Sequence, residues 1–94
     1  VLSTLHVHKA FIGTPALHHI HGLTHFDEYL VPAKRGMIRA AKQVIVVADH
    51  TKIGRVSLHT VASLKQIHDL VTGTEAQELD MTNWHDAGIR LHFA

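Results

Sequence analysis

The feature that most restricts the fold is a run of five consecutive apolar residues, Val44 to Ala48. The run is too short for a buried helix, and four of its five members are β-branched, which favours a strand. A strand that is apolar on both faces is typical of the middle of a parallel sheet covered by helices. We therefore predict an α/β fold, a mostly parallel sheet flanked by helices, with this strand at its centre.

The segments that precede this strand change from a strand pattern to a helix pattern. A short apolar run closes at Gly13 and predicts a first strand. Residues 14–27 have no clear period and predict a loop, in which Asp27 is a candidate helix cap. Apolar residues at helical spacing predict a helix over residues 33–42, with Pro32 tolerated in its first turn.

The segments that follow continue the alternation. Residues 56–61 predict a short edge strand or extended segment, residues 63–67 one helical turn, and residues 70–72 another strand. Residues 74–88 open with a capping-box pattern and predict a helix, and residues 89–93 alternate and predict a half-exposed last strand. That helix is expected to bury Ala76, Leu79, Trp84 and Ala87. The order β-α-β-(β)-β-α-β predicts a mostly parallel sheet.

Composition excludes several kinds of protein. The 94 residues contain no cysteine, which excludes disulfides and thiolate metal sites and fits a cytoplasmic protein. The formal charge is +1 and the basic residues are scattered, so we do not expect this chain itself to hold DNA. One predicted helix carries four of them, which are expected to form a solvated face: Lys34, Arg35, Arg39 and Lys42.

The chain also lacks the patterns of a membrane or exported protein. No run reaches the ~18 apolar residues that span a bilayer, and the amino terminus has no cationic start of the kind that opens a signal peptide. Because the chain starts without methionine and directly in a strand pattern, we expect it to be a piece of a longer protein.

The segment after the central strand carries the best candidate ligand site. In open α/β sheets, ligands bind at the carboxyl ends of the strands. Asp49 leaves the apolar run there, Lys52 lies three residues on, and Arg55 follows. A carboxylate accepts hydrogen bonds from sugar hydroxyls, whereas an ammonium and a guanidinium neutralise phosphate. The alternative is that Asp49 caps the loop backbone and Lys52 is merely solvated.

Other strand ends and polar motifs give weaker signals. Gly13 and Thr14 follow the first strand and could offer backbone amides to an anion, and residues 72–74 form a third strand end. The chain contains no Gly-rich nucleotide loop and no serine-nucleophile motif. We predict no catalytic residue and no cofactor.

Eleven histidines raise a separate alternative, a metal sensor. Imidazole is a common metal ligand, but zinc needs three or four donors in a tetrahedral array, and the chain has no H-E-x-x-H or other metal spacing. Six of the histidines lie within residues 6–25: His6, His8, His18, His19, His21 and His25. We predict that they are surface residues and that the chain has no metal site.

Several segments in the right order resemble the C-terminal sensor domain of DeoR-family bacterial transcriptional regulators. Residues 34–41 (KRGMIRAA) and 44–55 (VIVVADHTKIGR) are similar to that family's KRAMI-x-AA and VIVLADSSKFGR. Shorter matches are found at residues 9–13 (KAFIG), 22–24 (GLT), 67–72 (IHDLVT) and 87–89 (AGI).

The resemblance implies a Rossmann-like fold similar to ribose-5-phosphate isomerase and CoA transferases, used for sensing rather than catalysis. It implies that residues 1–94 are the C-terminal portion of a sensor for a phosphorylated sugar in a repressor of sugar metabolism. Operator DNA would be held by an N-terminal winged helix-turn-helix outside this chain. Asp49 and Lys52 match the family's D-x-x-K and carry over as ligand-site candidates.

Departures from the family pattern leave the ligand open. His8 stands where the family usually has Asp, Leu30 and Pro32 stand where it has glutamates, and His50 replaces a serine. A sugar-phosphate isomerase of the same fold is the alternative function, with Asp49 as the base. A partial sheet would expose a strand edge and an apolar face, so we also expect the chain to form a homo-oligomer.

Overall fold

The structure, a computed structural model, describes residues 6–94. The described strands and α-helices, in chain order, are β1 (Val7–Gly13), β2 (Ala16–His18), β3 (Gly22–His25), α1 (Val31–Ala40), β4 (Ala41–Val47), β5 (His59–Ala62), β6 (Asp69–Thr72), α2 (Thr82–Asp86) and β7 (Arg90–Phe93). Neither α1 nor α2 is long and apolar enough to cross a membrane.

The main sheet has four strands in the order β1-β4-β6-β7, and all neighbouring pairs are parallel. The predicted central strand is confirmed, because β4 lies between β1 and β6. Val44 and Val46 are 1% and 0% exposed. A continuous β-branched run thus identifies an interior parallel strand, and the mixed α/β class with a parallel sheet is confirmed.

A second sheet, antiparallel and of three strands in the order β2-β3-β5, occupies part of the segment predicted as a loop. The prediction for residues 14–27 was therefore wrong. Leu17 and Leu23 are both 0% exposed, so two short strands bury apolar side chains that histidines on either side obscure in the sequence. Gly22 closes the hairpin with φ +75, a conformation that a side chain would strain.

Helix α1 begins and ends two residues earlier than predicted, and Pro32 lies in its first turn as expected. Asp27 does not cap the helix, because Leu30 occupies the N-cap position and the Asp27 Oδ1 atom accepts a hydrogen bond from the Tyr29 amide at 2.9 Å. The chain passes directly from α1 into β4 at Ala41, so no separate loop joins them.

The single helix predicted over residues 74–88 was wrong, since the structure has a 3-10 turn at Thr74–Glu78 followed by the short helix α2. Leu79 between them is extended, at φ −89 and ψ 152, and interrupts the hydrogen-bond ladder. The capping box does not form, because Gly73 is the N-cap of the 3-10 turn and no side chain caps it.

The burial expected of that helix is correct for two residues only. Ala76 and Trp84 are buried, whereas Leu79 is 40% exposed and Ala87 is exposed. Helix α2 ends before Gly88, which has φ +85, as the glycine predicted. Splitting one helix into two short turns rotates the apolar positions off a common face.

The remaining predicted elements of the second half are largely confirmed. Strands β6 and β7 lie where the sequence placed strands, and β7 is a half-exposed edge. A 3-10 turn spans Leu64–Gln66, where one helical turn was predicted. The extended segment before β5 is less regular, since Val56 and Leu58 precede the strand and are exposed.

The two faces of the main sheet differ sharply. One face buries Ile12, Val46 and Leu70, each at most 2% exposed, under the rest of the fold. On the opposite face Phe11 and Val47 are 64% and 45% exposed. Within residues 6–94 this second face is therefore only partly covered, since Ile45, which pairs with Phe11 on it, is 8% exposed.

Candidate functional site

The carboxyl ends of the inner strands meet at one edge of the main sheet. Gly13, the last residue of β1, is paired with Val47, the last residue of β4, and Val47 is also paired with Val71 of β6. The segments that follow these strands are the three predicted ligand-binding segments. The structure therefore brings the first residues of these three segments to the same edge of the sheet. The contacts of their side chains differ from one segment to the next.

Asp49 leaves this edge as an ionised carboxylate that caps the next turn, so the alternative that it caps the loop backbone is confirmed. Its Oδ1 atom accepts a hydrogen bond from the Thr51 amide at 2.9 Å and another from the Thr51 hydroxyl. The hydroxyl bond has the largest effect on the pKa of Asp49 and lowers it, burial opposes this, and the Thr51 amide and the charges of Lys52 and His50 lower it further. No described residue donates to Oδ2, so one carboxylate oxygen is available to a ligand.

Lys52 and Arg55 are cations without a carboxylate partner among residues 6–94. Lys52 ends the 3-10 turn His50–Lys52, is half-buried, and is close enough for its charge to lower the pKa of Asp49. Arg55 is exposed. Between them the Gly54 amide donates to the Leu17 carbonyl at 2.7 Å, which ties the loop to the small sheet.

A cavity of about 260 Å³ lies at this edge of the sheet. It is lined by Val47, Ala48, Asp49, Val71, Thr72, Gly73 and Ala94. The cavity includes Asp49 but not the other four predicted site residues. Two larger cavities, of about 380 and 460 Å³, lie beside α2 and β7 and between α1 and β5, away from Asp49.

Thr72 is a polar residue of this cavity that the sequence reasoning did not single out as a ligand group. Its side chain is buried, at 4% exposed, and its hydroxyl has no hydrogen-bond partner within residues 6–94. Such an unsatisfied buried hydroxyl is costly unless a water or ligand completes it. The sequence signal that could have identified Thr72 as a candidate was its position as the last residue of a predicted strand.

Gly13 and Thr14 are held by contacts that the sequence did not suggest. The Gly13 carbonyl accepts a hydrogen bond from the Lys34 ammonium at 2.6 Å. The Thr14 hydroxyl lies 2.9 Å from the Ala16 carbonyl and 3.2 Å from the Thr24 carbonyl, which joins the end of β1 to the small sheet. The Thr14 hydroxyl therefore already hydrogen-bonds to backbone carbonyls of the protein.

Lys34 corrects the view that the basic residues of α1 form only a solvated face. Its side chain is half-buried, and burial lowers the pKa of its ammonium. It also lies close to His25, which is buried at 6% exposed, so the prediction that this histidine is a surface residue was wrong. Burial lowers the pKa of the His25 imidazole most, the charge of Lys34 lowers it further, and Asp27 raises it. The helix pattern alone could not show that Lys34 reaches the end of β1.

Asp69 is a second polar group that sequence reasoning missed. It is 5% exposed, and Gln43 Nε2, Arg90 NH2 and His92 Nε2 lie 2.7, 2.9 and 2.8 Å from its carboxylate oxygens. Burial alone would raise the pKa of Asp69, but hydrogen bonds from Gln43, His92 and Arg90 and the Arg90 charge lower it to about 2. Asp69 is the first residue of β6, at the end of the strand opposite the ligand edge, and it ties three strands together.

The histidines of the β2–β3 hairpin cluster without forming a metal site. The His18 ring lies 4.6 Å from that of His19 and 5.0 Å from that of His21, between centroids. The Nδ1 atom of His18 accepts from the Ile20 amide at 3.0 Å, which occupies one potential ligand atom. Across residues 6–94, no group of three or more His, Cys, Asp or Glu side chains is placed to hold a metal ion.

Comparisons with known proteins identify relatives of one kind. The family described as DeoR C terminal sensor domain matches residues 1–74. The HTH-type transcriptional repressor GlcR of Bacillus subtilis (strain 168) is 45% identical over 71 residues, which cover 76% of this chain and 27% of that protein. The HTH-type transcriptional regulator IolR of the same organism is 33% identical over 96 residues, covering 97% of this chain and 37% of that protein.

A third relative is the putative sgc region transcriptional regulator of Escherichia coli (strain K12), 30% identical over 91 residues, covering 97% of this chain and 35% of that protein. The chain thus spans between 27% and 37% of the length of these three relatives. All three are described as transcriptional regulators or repressors, and the matched family is one of sensor domains. The isomerase alternative therefore gains no support.

Proposed function

Because the chain belongs to the family of DeoR C terminal sensor domains, we propose that it senses a phosphorylated sugar for a transcriptional repressor of sugar metabolism. The family is one of sensors and the relatives are transcriptional regulators, so the chain is a sensor domain rather than an enzyme. The class of effector is our inference from the chemistry at the carboxyl edge of the main sheet.

The observation that carries the proposal is the pair Asp49 and Lys52 beyond the end of the central strand. Asp49 is ionised and has one carboxylate oxygen without a protein donor, and Lys52 has no carboxylate partner among the described residues. A free carboxylate oxygen suits sugar hydroxyls, and a free ammonium suits a phosphoryl group. Arg55 follows on the same loop as a further cation, and we include the backbone of Gly13 and Thr14 in the proposed site because Gly13 is paired with Val47 at the same edge.

The proposed mechanism is a shift between two conformations of the intact regulator. An effector that binds one conformation better than the other changes its population, and thereby the affinity of a distant site for operator DNA. In this proposal DNA contacts are made by a helix-turn-helix region outside residues 1–94, in a homo-oligomeric cytoplasmic protein. We also propose that the fold is Rossmann-like and similar to those of ribose-5-phosphate isomerase and CoA transferases.

The departures at His8, Leu30 and Pro32 bear on which sugar is bound. His8 is exposed on β1, and Leu30 and Pro32 open α1 with exposed side chains. None of the three supplies the carboxylate that the family pattern has there. We therefore propose that Asp49 carries more of the hydroxyl recognition in this protein.

Substitution of Lys52 tests the proposal. Lys52→Ala in the intact protein that carries this domain should weaken binding of a phosphorylated sugar by roughly 10- to 100-fold, because a charge-assisted hydrogen bond is lost. Titration calorimetry against a panel of pentose and hexose phosphates measures the change. Lys65→Ala is the matched control, since Lys65 is exposed on the 3-10 turn that precedes β6, at the other end of the sheet.

The proposal predicts tight binding of at least one member of the panel and no comparable binding of the same sugar without phosphate. If the wild-type protein binds such a sugar and Lys52→Ala binds it equally well, Lys52 has no role in recognition. If no phosphorylated sugar binds, the class of effector is wrong.

A further inference from the structure

The amine of Lys34 is fixed at the carboxyl end of β1 in a way that a solvated lysine is not. Its Nζ atom donates to the Gly13 carbonyl at 2.6 Å, across a sequence separation of 21 residues. The side chain is half-buried, and burial lowers the pKa of the ammonium. The fold therefore holds a partly desolvated positive charge at the edge where the inner strands end.

This charge has no counter-charge within the described part of the chain. None of the ion pairs among residues 6–94 involves Lys34. A lysine ammonium has three donors, of which the Gly13 carbonyl takes one. A partly buried cation is costly without an anion, so the site would be stabilised by a ligand that brings negative charge and accepts the remaining hydrogen bonds.

His25 is a second donor near the end of β1, because it follows Thr24, whose carbonyl oxygen lies 3.2 Å from the hydroxyl of Thr14 next to Gly13. It is 6% exposed, and its Nδ1 atom accepts a hydrogen bond from the Asp27 amide at 2.9 Å. A neutral imidazole that accepts at Nδ1 carries its proton on Nε2. No described residue accepts from that nitrogen, and the charge of Lys34 is near enough to affect the imidazole. The buried ring thus has a donor that the protein itself does not use.

The Lys34 amine and Asp49 lie at the same edge of the main sheet. Gly13 is paired with Val47, and Asp49 follows Val47 by two residues. Neighbouring strands lie ~4.8 Å apart and the chain rises ~3.3 Å per residue, so the Cα atoms of Gly13 and Asp49 are expected to lie about 8 Å apart. One phosphorylated monosaccharide is long enough to contact both.

We propose that Lys34, with the Nε2 donor of His25, binds the phosphoryl group of the effector at the carboxyl end of β1. The inference rests on the proposed function and deepens it. A phosphate ester carries close to two negative charges at neutral pH, which the Lys52 ammonium alone does not neutralise, and Arg55 on the same loop is exposed whereas Lys34 is half-buried. Lys34 supplies the second positive charge, and Asp49 is left to the sugar hydroxyls.

A purely structural role of Lys34 makes a different prediction, and calorimetry on the intact protein distinguishes the two. The probe is inorganic phosphate, with sodium chloride at equal ionic strength as the reference. Lys34→Gln should weaken phosphate binding by roughly 10-fold or more, and Lys34→Arg should recover most of the affinity because the charge is kept. Arg39→Gln on the same helix is the matched control, because Arg39 is exposed in its last turn.

Thermal unfolding without phosphate separates lost binding from lost folding. A Lys34→Gln protein that melts at a lower temperature but binds phosphate as tightly as the wild type would show that Lys34 only joins α1 to β1. A wild-type protein that binds no phosphate above the chloride reference also overturns the inference.

For His25, phosphate should shift the ring ¹⁵N resonance of Nε2 in the wild-type protein. An unchanged resonance would show that His25 does not contact the phosphate.

Failure of this inference is distinguishable from failure of the proposed function. Sugar-phosphate binding that depends on Lys52 but not on Lys34 overturns the inference and leaves the sensor function in place. The absence of binding by any phosphorylated sugar overturns the proposed function.

Discussion

Asp69 shows how one buried residue can tie strands together. Burial would raise the pKa of its carboxyl group, but hydrogen bonds from Gln43 of β4 and from His92 and Arg90 of β7 lower it from 3.8 to about 2. A carboxyl group whose pKa is lower in the folded than in the unfolded state stabilises the fold above pH ~4. That stability is lost as the pH falls from about 4 towards 2.

Asp69→Asn should therefore remove most of this acid dependence. The difference between 3.8 and about 2 corresponds to about 2 kcal/mol at neutral pH. Urea unfolding at pH 6 should show the variant destabilised by about that amount, with a smaller difference at pH 3. A variant that loses stability between pH 4 and 2 as steeply as the wild type would contradict this role.

Single residues also show what a sequence can and cannot reveal about a site. Asp49 and Lys52 were accessible from sequence, because they follow an apolar run whose end marks a strand terminus. Lys34 and Asp69 were not, because their partners Gly13, Gln43 and Arg90 are 20 or more residues away along the chain. Contacts of that kind depend on strand order and register, which no local pattern contains.

The β2–β3 hairpin depends on Gly22. The residue has φ +75, and a Cβ atom there would lie 2.2 Å from the Ala62 carbonyl oxygen of β5. Gly54 has a similar φ of +89, but a Cβ atom at that position would meet no other atom within 4 Å. Substitutions at the two glycines therefore distinguish the cost of backbone strain alone from the cost of strain plus a steric clash.

Gly22→Ala should destabilise the protein by about 3 kcal/mol or more, because strain and clash add, whereas Gly54→Ala should cost about 1 kcal/mol from strain alone. Chemical denaturation of both variants measures the difference. Equal losses for the two variants would mean that the close approach of β3 to β5 is relieved at little cost.

Long patterns predicted elements better than short ones. The central strand and α1 were recognisable because several apolar residues repeat at one period. The hairpin was missed because each strand has only three or four residues, and the helix over 74–88 was overextended because Leu79 fits helical spacing but is extended in the structure. In both cases tertiary packing outweighed the local pattern.

One face of the main sheet carries exposed apolar side chains among residues 6–94. Phe11, Val47 and Val7 are 64%, 45% and 42% exposed on that face, next to the Asp69 cluster. Parallel sheets are usually covered on both faces. Exposed apolar side chains of this kind favour association, and a homo-oligomer stays a prediction.

Phe11→Lys should weaken that association, because it places a charge at the middle of the apolar face. Light scattering after size exclusion should find residues 1–94 as a dimer or larger species and the Phe11→Lys variant as a smaller one. Phe26→Lys is the control, since Phe26 is similarly exposed, at 63%, but lies beyond the end of β3. A wild-type chain that is monomeric at high concentration would contradict the prediction.

We propose that a phosphorylated sugar binds at the carboxyl edge formed by β1 and β4. The test is to follow the backbone amide chemical shifts of the intact protein during titration with a phosphorylated sugar that binds in calorimetry. We predict the largest changes at Gly13, Thr14 and residues 49–52, and little change at Asp69 and His92. Changes centred on Asp69 and His92, with residues 49–52 unaffected, would contradict it.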